Sequence, residues 1–176
     1  MRFLKSVLFH LCMGVVVFLF GRILPRKWIR EDKFPFKSFR FEKNGEIYHK
    51  IGIMEWKTRL PDASVIISKL LSKCMPKFLP KFLPTKRLET QGKIPVLIKE
   101  TCVAEATHSV AAALGFLPVL LWGGIGSWLS AVLFFVYNVP YVLMQRFNRP
   151  RLVRVNALLQ CRQAGGEATK QVLEVS

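Results

Sequence analysis

Acidic residues are scarce in this sequence. Its 176 residues hold 11 Asp and Glu against 27 Lys and Arg, giving a net charge of +16 and a pI near 10.2. A helical di-metal centre needs several carboxylates from neighbouring helices. Beyond Glu105 the apolar stretches carry none, so the Glu105-x-x-His108 spacing has no further acids to complete such a site. Cysteine is also thin. Cys12, Cys74, Cys102 and Cys161 stand far apart with no C-x-x-C, and read as small apolar residues rather than metal ligands or a redox pair. Charge disappears between Glu105 and Arg146, where His108 is the one side chain of a type that ionises near neutrality. A nucleic-acid-binding domain has no use for uncharged stretches of that length, and no zinc-finger, RNA-recognition or helix-turn-helix pattern is present. Nucleic acid is therefore excluded as a partner. Basic charge beside long apolar runs fits membrane phosphates instead.

What is present reads as one membrane domain. Phe3 to Phe20 is apolar apart from Lys5, Ser6 and His10. No small-x-small site follows, so residues 1–21 read as a retained first span rather than a cleaved signal, with His10 packing between helices. Residues 22–99 form a basic interfacial region, with 19 Lys or Arg between positions 21 and 99. Arg26-Lys-Trp-Ile-Arg30 has the aromatic and basic mix of an interface anchor. Phe34, Phe36, Phe39 and Phe41, followed by Asn44-Gly45, predict a short helix or hairpin lying on the membrane. Trp56, Lys57, Arg59 and Asp62 either contact a phosphate or sugar or lie among the headgroups. Residues 63–75 read as an interfacial helix, and the repeated Pro-Lys-Phe-Leu at 76 and 80 as a loop.

Residues 100–152 read as a helical hairpin. Its first arm, Ile94 to Leu121, is expected to kink at Pro118. A glycine-rich turn spans 123–127, and the second arm runs from Trp128 to Met144 with a kink at Pro140. Residues 153–176 form a basic tail in which Gly165-Gly166 ends any helix and the last ten residues are disordered or surface-bound. The fold class is mainly α: an integral membrane helical bundle of about three spans with interfacial helices. The positive-inside rule puts the N-terminus outside and the C-terminus in the cytoplasm.

Two polar clusters then come to one cytoplasmic interface. On the first arm Thr101, Glu105 and His108 share a face, and a Glu-x-x-His pair suits a general-base dyad with Glu105 orienting His108. A structural Glu–His hydrogen bond is the plainer alternative. On the second arm Asn138 and Gln145 share a stripe continued by Asn148 and Arg149. An amide facing lipid alone costs several kcal/mol, roughly, so these groups face protein, water or a ligand headgroup.

The residues also carry a resemblance. Phe36-Lys-Ser-Phe, Phe41-Glu-Lys-Asn-Gly, Trp56-Lys, Glu100-Thr with Ala104-Glu and His108, Asn138-x-Pro, and Gln145-Arg-Phe-Asn-Arg-Pro-Arg-Leu152 occur in this order. Together they resemble the glycosyl-4,4'-diaponeurosporenoate acyltransferase family of the staphyloxanthin pathway, over roughly residues 22 to 152 with 76–93 poorly matched. The resemblance implies a bacterial cell-membrane enzyme. It would esterify a sugar hydroxyl of a glycosylated carotenoid or related glycolipid, using an acyl thioester on coenzyme A or acyl carrier protein and no cofactor. Under that reading His108 is the base and Glu105 its partner. Asn138 or Gln145 donates to the oxyanion. Arg146, Arg149 and Arg151 hold donor phosphates or an acidic carrier protein, and Asn148, Glu100, Trp56 and Lys57 contact substrate. The His-x4-Asp of glycerolipid acyltransferases and the G-x-S-x-G elbow are both missing. A non-catalytic protein that binds anionic lipid or scaffolds a neighbouring enzyme is the alternative.

Overall fold

Long apolar runs can satisfy their backbone groups within one segment only as helices when water is excluded. The computed structural model bears this out over the residues it describes, 1–59 and 94–175; side chains at 43–45, 57–59 and 163–175 lie outside that set. Helix α1 covers Arg2–Ile23. A 3-10 turn at Arg26–Trp28 leads to a second at Arg40–Gly45, then to the short helices α2 (Glu46–Lys50) and α3 (Ile53–Arg59). Helix α4 covers Ile94–Leu114, α5 Leu117–Trp122 and α6 Gly124–Val175. Three stretches are long and apolar enough to cross a membrane: α1, α4 with α5, and Gly124–Arg162 of α6. No strand occurs among the described residues. The stretch around Phe34–Lys50 is helical turns rather than a hairpin. The 63–75 helix and the Pro-Lys-Phe-Leu repeat fall outside the described residues.

The burial pattern is that of a bundle in lipid. Leu4, Leu8, Leu11 and Phe20 on α1, and Leu129, Leu133 and Val136 on α6, are exposed, while Ser6, His10, Ser127 and Ser130 are buried. Lipid tails are as apolar as leucine, so close packing and interhelical hydrogen bonds hold such helices together. The Ser6 and Ser127 hydroxyls lie 3.1 Å apart, and Nε2 of His10 donates to the Gly115 carbonyl at 2.8 Å. These contacts place the start of α1 beside the start of α6. At its other end α1 meets α4, where Gly21 sits against Thr107. Helices α1 and α6 thus run parallel with α4 antiparallel to both.

Gly21 is needed for that approach. A Cβ added there would lie 2.5 Å from Cγ2 of Thr107 but 3.8 Å from its Cβ. Gly21→Ala should therefore destabilise the bundle by about 1–3 kcal/mol, less its small gain in helix propensity. Thr107→Ala should restore most of the loss, as read by thermal melting in detergent. A melting temperature unchanged by Gly21→Ala would show that the helices are not in this contact.

Several boundaries differ from the sequence expectation. The break in the first arm falls at Gly115–Phe116, ahead of Pro118. Pro118 instead occupies the first turn of α5, where a missing N–H costs nothing. The hairpin turn is tighter than 123–127: Gly123 and Gly124, at φ of 60° and 77°, make it, and α6 starts at Gly124. A Cβ would be strained at both positions. Helix α6 then continues through Pro140, Pro150 and the Gly165-Gly166 pair to Val175. Each proline removes one hydrogen bond and each glycine costs about 1 kcal/mol, but the ladder on either side carries the helix on. At 52 residues α6 is about 78 Å long, more than twice the apolar thickness of a bilayer. Its C-terminal half must therefore leave the apolar layer.

Candidate active site

The site begins with an acid that the sequence reading passed over. Glu42, in the second 3-10 turn, is 2% exposed. Its carboxylate accepts from the Phe39 N–H at 3.0 Å, the Tyr48 hydroxyl at 2.7 Å and Nε of Arg146 at 2.5 Å. Burial, then the bond to Glu42, raises the Tyr48 pKa well above that of an ordinary phenol, so its hydroxyl stays a donor. Glu105 on α4 accepts from Nη1 of Arg146 at 2.5 Å and from Nη2 of Arg149. Nε of Arg149 donates to the Thr101 hydroxyl at 3.1 Å. The remaining guanidinium donors reach the carbonyls of Pro35, Phe36 and Lys37. Phe39 lies beneath Arg146 with its centroid at 4.5 Å, and Phe36 beneath Arg149 at 5.6 Å. Two buried carboxylates thus balance two buried guanidiniums, and the network ties the 34–48 segment to α4 and α6.

This corrects two expectations. Glu105 does not orient His108: its oxygens are taken by Arg146 and Arg149. A buried carboxylate gains more from two guanidiniums than from one imidazole. Arg146 and Arg149 in turn spend their forks on internal partners rather than facing open space.

His108 is held by the other arm instead. Its Nδ1 lies 2.9 Å from Oδ1 of Asn138, whose Nδ2 donates to the Phe134 carbonyl at 2.8 Å. That second bond fixes the amide, leaving the oxygen to face the ring. Nδ1 must then carry the proton in the neutral imidazole, and Nε2 keeps a free lone pair. The ring also stacks on Tyr141, with centroids 4.7 Å apart and 9° between planes. Asn138 does bond a backbone carbonyl, but that of Phe134, whereas Pro140 frees the carbonyl of Val136.

A cavity of about 680 Å³ opens beside His108, between the end of α1, the first half of α4 and the middle of α6. Glu100, His108, Gln145, Asn148 and Arg151 all line it. Asn138, Glu105, Arg146 and Arg149 stand behind that wall. Trp56 on α3 is exposed and away from the lining, and the Lys57 side chain lies outside the described residues. Two lining residues were not foreseen. Arg22 sits over the Phe18 ring at 5.3 Å, and Arg26 holds Glu100 through two bonds of 2.7 and 3.1 Å. Their signal in the sequence is position: both follow the first span directly, at the level where a lipid-facing helix ends. Among the described residues no three His, Cys, Asp or Glu side chains gather as a metal site would.

Comparison with known proteins places the chain in a family. A family profile described as glycosyl-4,4'-diaponeurosporenoate acyltransferase matches residues 25–158, a stretch that holds most of the cavity lining and both polar clusters. A protein of that name from Staphylococcus aureus (strain bovine RF122 / ET3-1) is 26% identical over 171 residues, covering 92% of this chain and 94% of the relative. Its counterpart from strain USA300 is 26% identical over 169 residues, with the same coverage. No solved structure matches. The chain belongs to the glycosyl-4,4'-diaponeurosporenoate acyltransferase family.

Proposed function

We propose that this chain transfers a fatty acyl group from a thioester to a sugar hydroxyl of a glycosylated carotenoid or related glycolipid. The observation that carries the reading is His108 at a cavity wall with its tautomer set by Asn138. Nε2 takes the proton of the sugar hydroxyl as its oxygen attacks the thioester carbonyl carbon. The carbon–sulfur bond breaks, and the imidazolium returns that proton to the leaving thiolate. The Gln145 amide, on the same wall, donates to the oxyanion between the two steps. Glu100, fixed by Arg26, presents carboxylate oxygens to sugar hydroxyls, and Asn148 lines the same space. The acyl and polyene chains lie along the apolar helix faces. No cofactor enters this chemistry.

Orientation follows from charge. Arg22, Arg26, Lys27, Arg151 and Arg154 all lie at the cavity end of the bundle, so that end is cytoplasmic, where acyl thioesters are made, and the N-terminus is outside. The test is acyl transfer in bacterial membranes carrying the protein, with labelled acyl thioester and a glycosylated carotenoid acid. Acylated product with wild-type membranes and none without the protein is expected. Equal product in both would leave the scaffold reading in its place.

A further inference from the structure

The cavity carries more positive charge than its own acids neutralise. Three guanidiniums line it, from Arg22, Arg26 and Arg151, against the single carboxylate of Glu100. Glu100 is already committed to Arg26 through a two-point bridge. Among the described residues no carboxylate pairs with Arg22 or Arg151. Each is held by an aromatic face instead. Arg22 lies over Phe18 at 5.3 Å and Arg151 over Phe147 at 5.1 Å, with one long contact from Arg151 to the Met54 sulfur at 3.8 Å. Stacking fixes a guanidinium plane while leaving its N–H edge open to an anion.

We infer that Arg22 and Arg151 form a phosphate subsite on the wall of the cavity, which takes the phosphate of a pantetheine-borne acyl thioester. This presupposes the acyl-thioester donor proposed for the chain. The spacing supports it. His108 stacks on Tyr141, and the Arg151 guanidinium turns back over Phe147, six residues further along α6, a rise of about 9 Å. A pantetheine arm is long enough to bridge that distance, so a phosphate on the arginines lets the thioester reach Nε2. Planar forks also suit the non-bridging oxygens of a phosphate ester. A lipid headgroup offers the same phosphate chemistry but has no arm leading inward to the imidazole. Coenzyme A and a carrier-protein arm share this phosphate, and the subsite serves either.

The test is calorimetric titration of the full-length protein in neutral detergent with coenzyme A, phosphopantetheine and pantetheine. The wild-type protein should bind the two phosphate-bearing compounds at least tenfold more tightly than pantetheine. Arg22→Gln with Arg151→Gln should remove that advantage, and the corresponding Lys pair should keep part of it. Among the described residues neither side chain anchors another element through an ion pair, and the melting temperature of each variant checks that the fold persists. Unchanged coenzyme A affinity in the double Gln variant overturns the subsite. A second arm uses bilayer discs of phosphatidylglycerol or phosphatidylcholine. If the double variant loses preference for phosphatidylglycerol while keeping coenzyme A affinity, the phosphate is a lipid's and the pantetheine assignment falls. Because binding is read without turnover, the subsite can stand where acyl transfer fails, and the reverse.

Discussion

Replacing His108 with Gln should lower kcat for acyl transfer by about 10²- to 10⁴-fold, the range for loss of a positioned general base. Gln still offers an N–H to Asn138 and fills much of the ring's volume, so protein levels in the membrane should stay near wild type. The sharper experiment lies one residue behind. Asn138 does not line the cavity, yet its oxygen accepts the Nδ1 proton and its amide is fixed by the Phe134 carbonyl. Asn138→Leu removes the acceptor and lets the proton move to Nε2, which turns the base into a donor. The expected result is a fall in kcat with KM for both substrates little changed, since no substrate contact is lost. Rates in membranes at matched protein levels decide the matter. Wild-type turnover by His108→Gln would remove the imidazole from the reaction, and with it the role given to Asn138.

The parts of the molecule that were legible beforehand are those governed by local pattern. The three spans follow from apolar runs of bilayer length, and the shared face of Thr101, Glu105 and His108 follows from helical periodicity. That His108 and Gln145 come to one cavity was readable in outline, because the two arms of a hairpin must put their buried polar groups together, but the bond from His108 to Asn138 was not. What stayed hidden was partner choice. Helical spacing placed Glu105 near His108, but spacing does not weigh one imidazole against two guanidiniums arriving from a helix 41 and 44 residues away. Glu42 was harder still. Its bond to Arg146 spans 104 residues, and nothing in Phe41-Glu-Lys-Asn distinguishes a buried acid from a solvated one. Helix α6 shows the limit of breaker residues as stop signals. Pro140, Pro150 and two glycines each weaken the ladder locally, and none outweighs the hydrogen bonds around it.

Glu105→Gln separates the two roles that this carboxylate has been given. It is 5% exposed and neutralises guanidiniums that are themselves 8% and 4% exposed. Removing its charge leaves Arg146 and Arg149 sharing Glu42 alone, and Glu42 reaches only Arg146. Breaking a buried pair from one side costs about 3–5 kcal/mol, because the remaining charge stays buried without its counterion. For a chain of this size that corresponds to a fall in melting temperature of about 6–20 °C. The damage should spread to the 34–48 segment, since the same two arginines hold the carbonyls of Pro35, Phe36 and Lys37. Adding Arg149→Met should recover part of the loss by restoring charge balance, so the double variant melts above Glu105→Gln alone. A dyad in which Glu105 acted on His108 directly predicts the opposite split: a large drop in kcat at an unchanged melting temperature. Thermal melting and acyl transfer measured on the same preparations distinguish the two, and a stable Glu105→Gln protein would mean that the arginines do not depend on this acid.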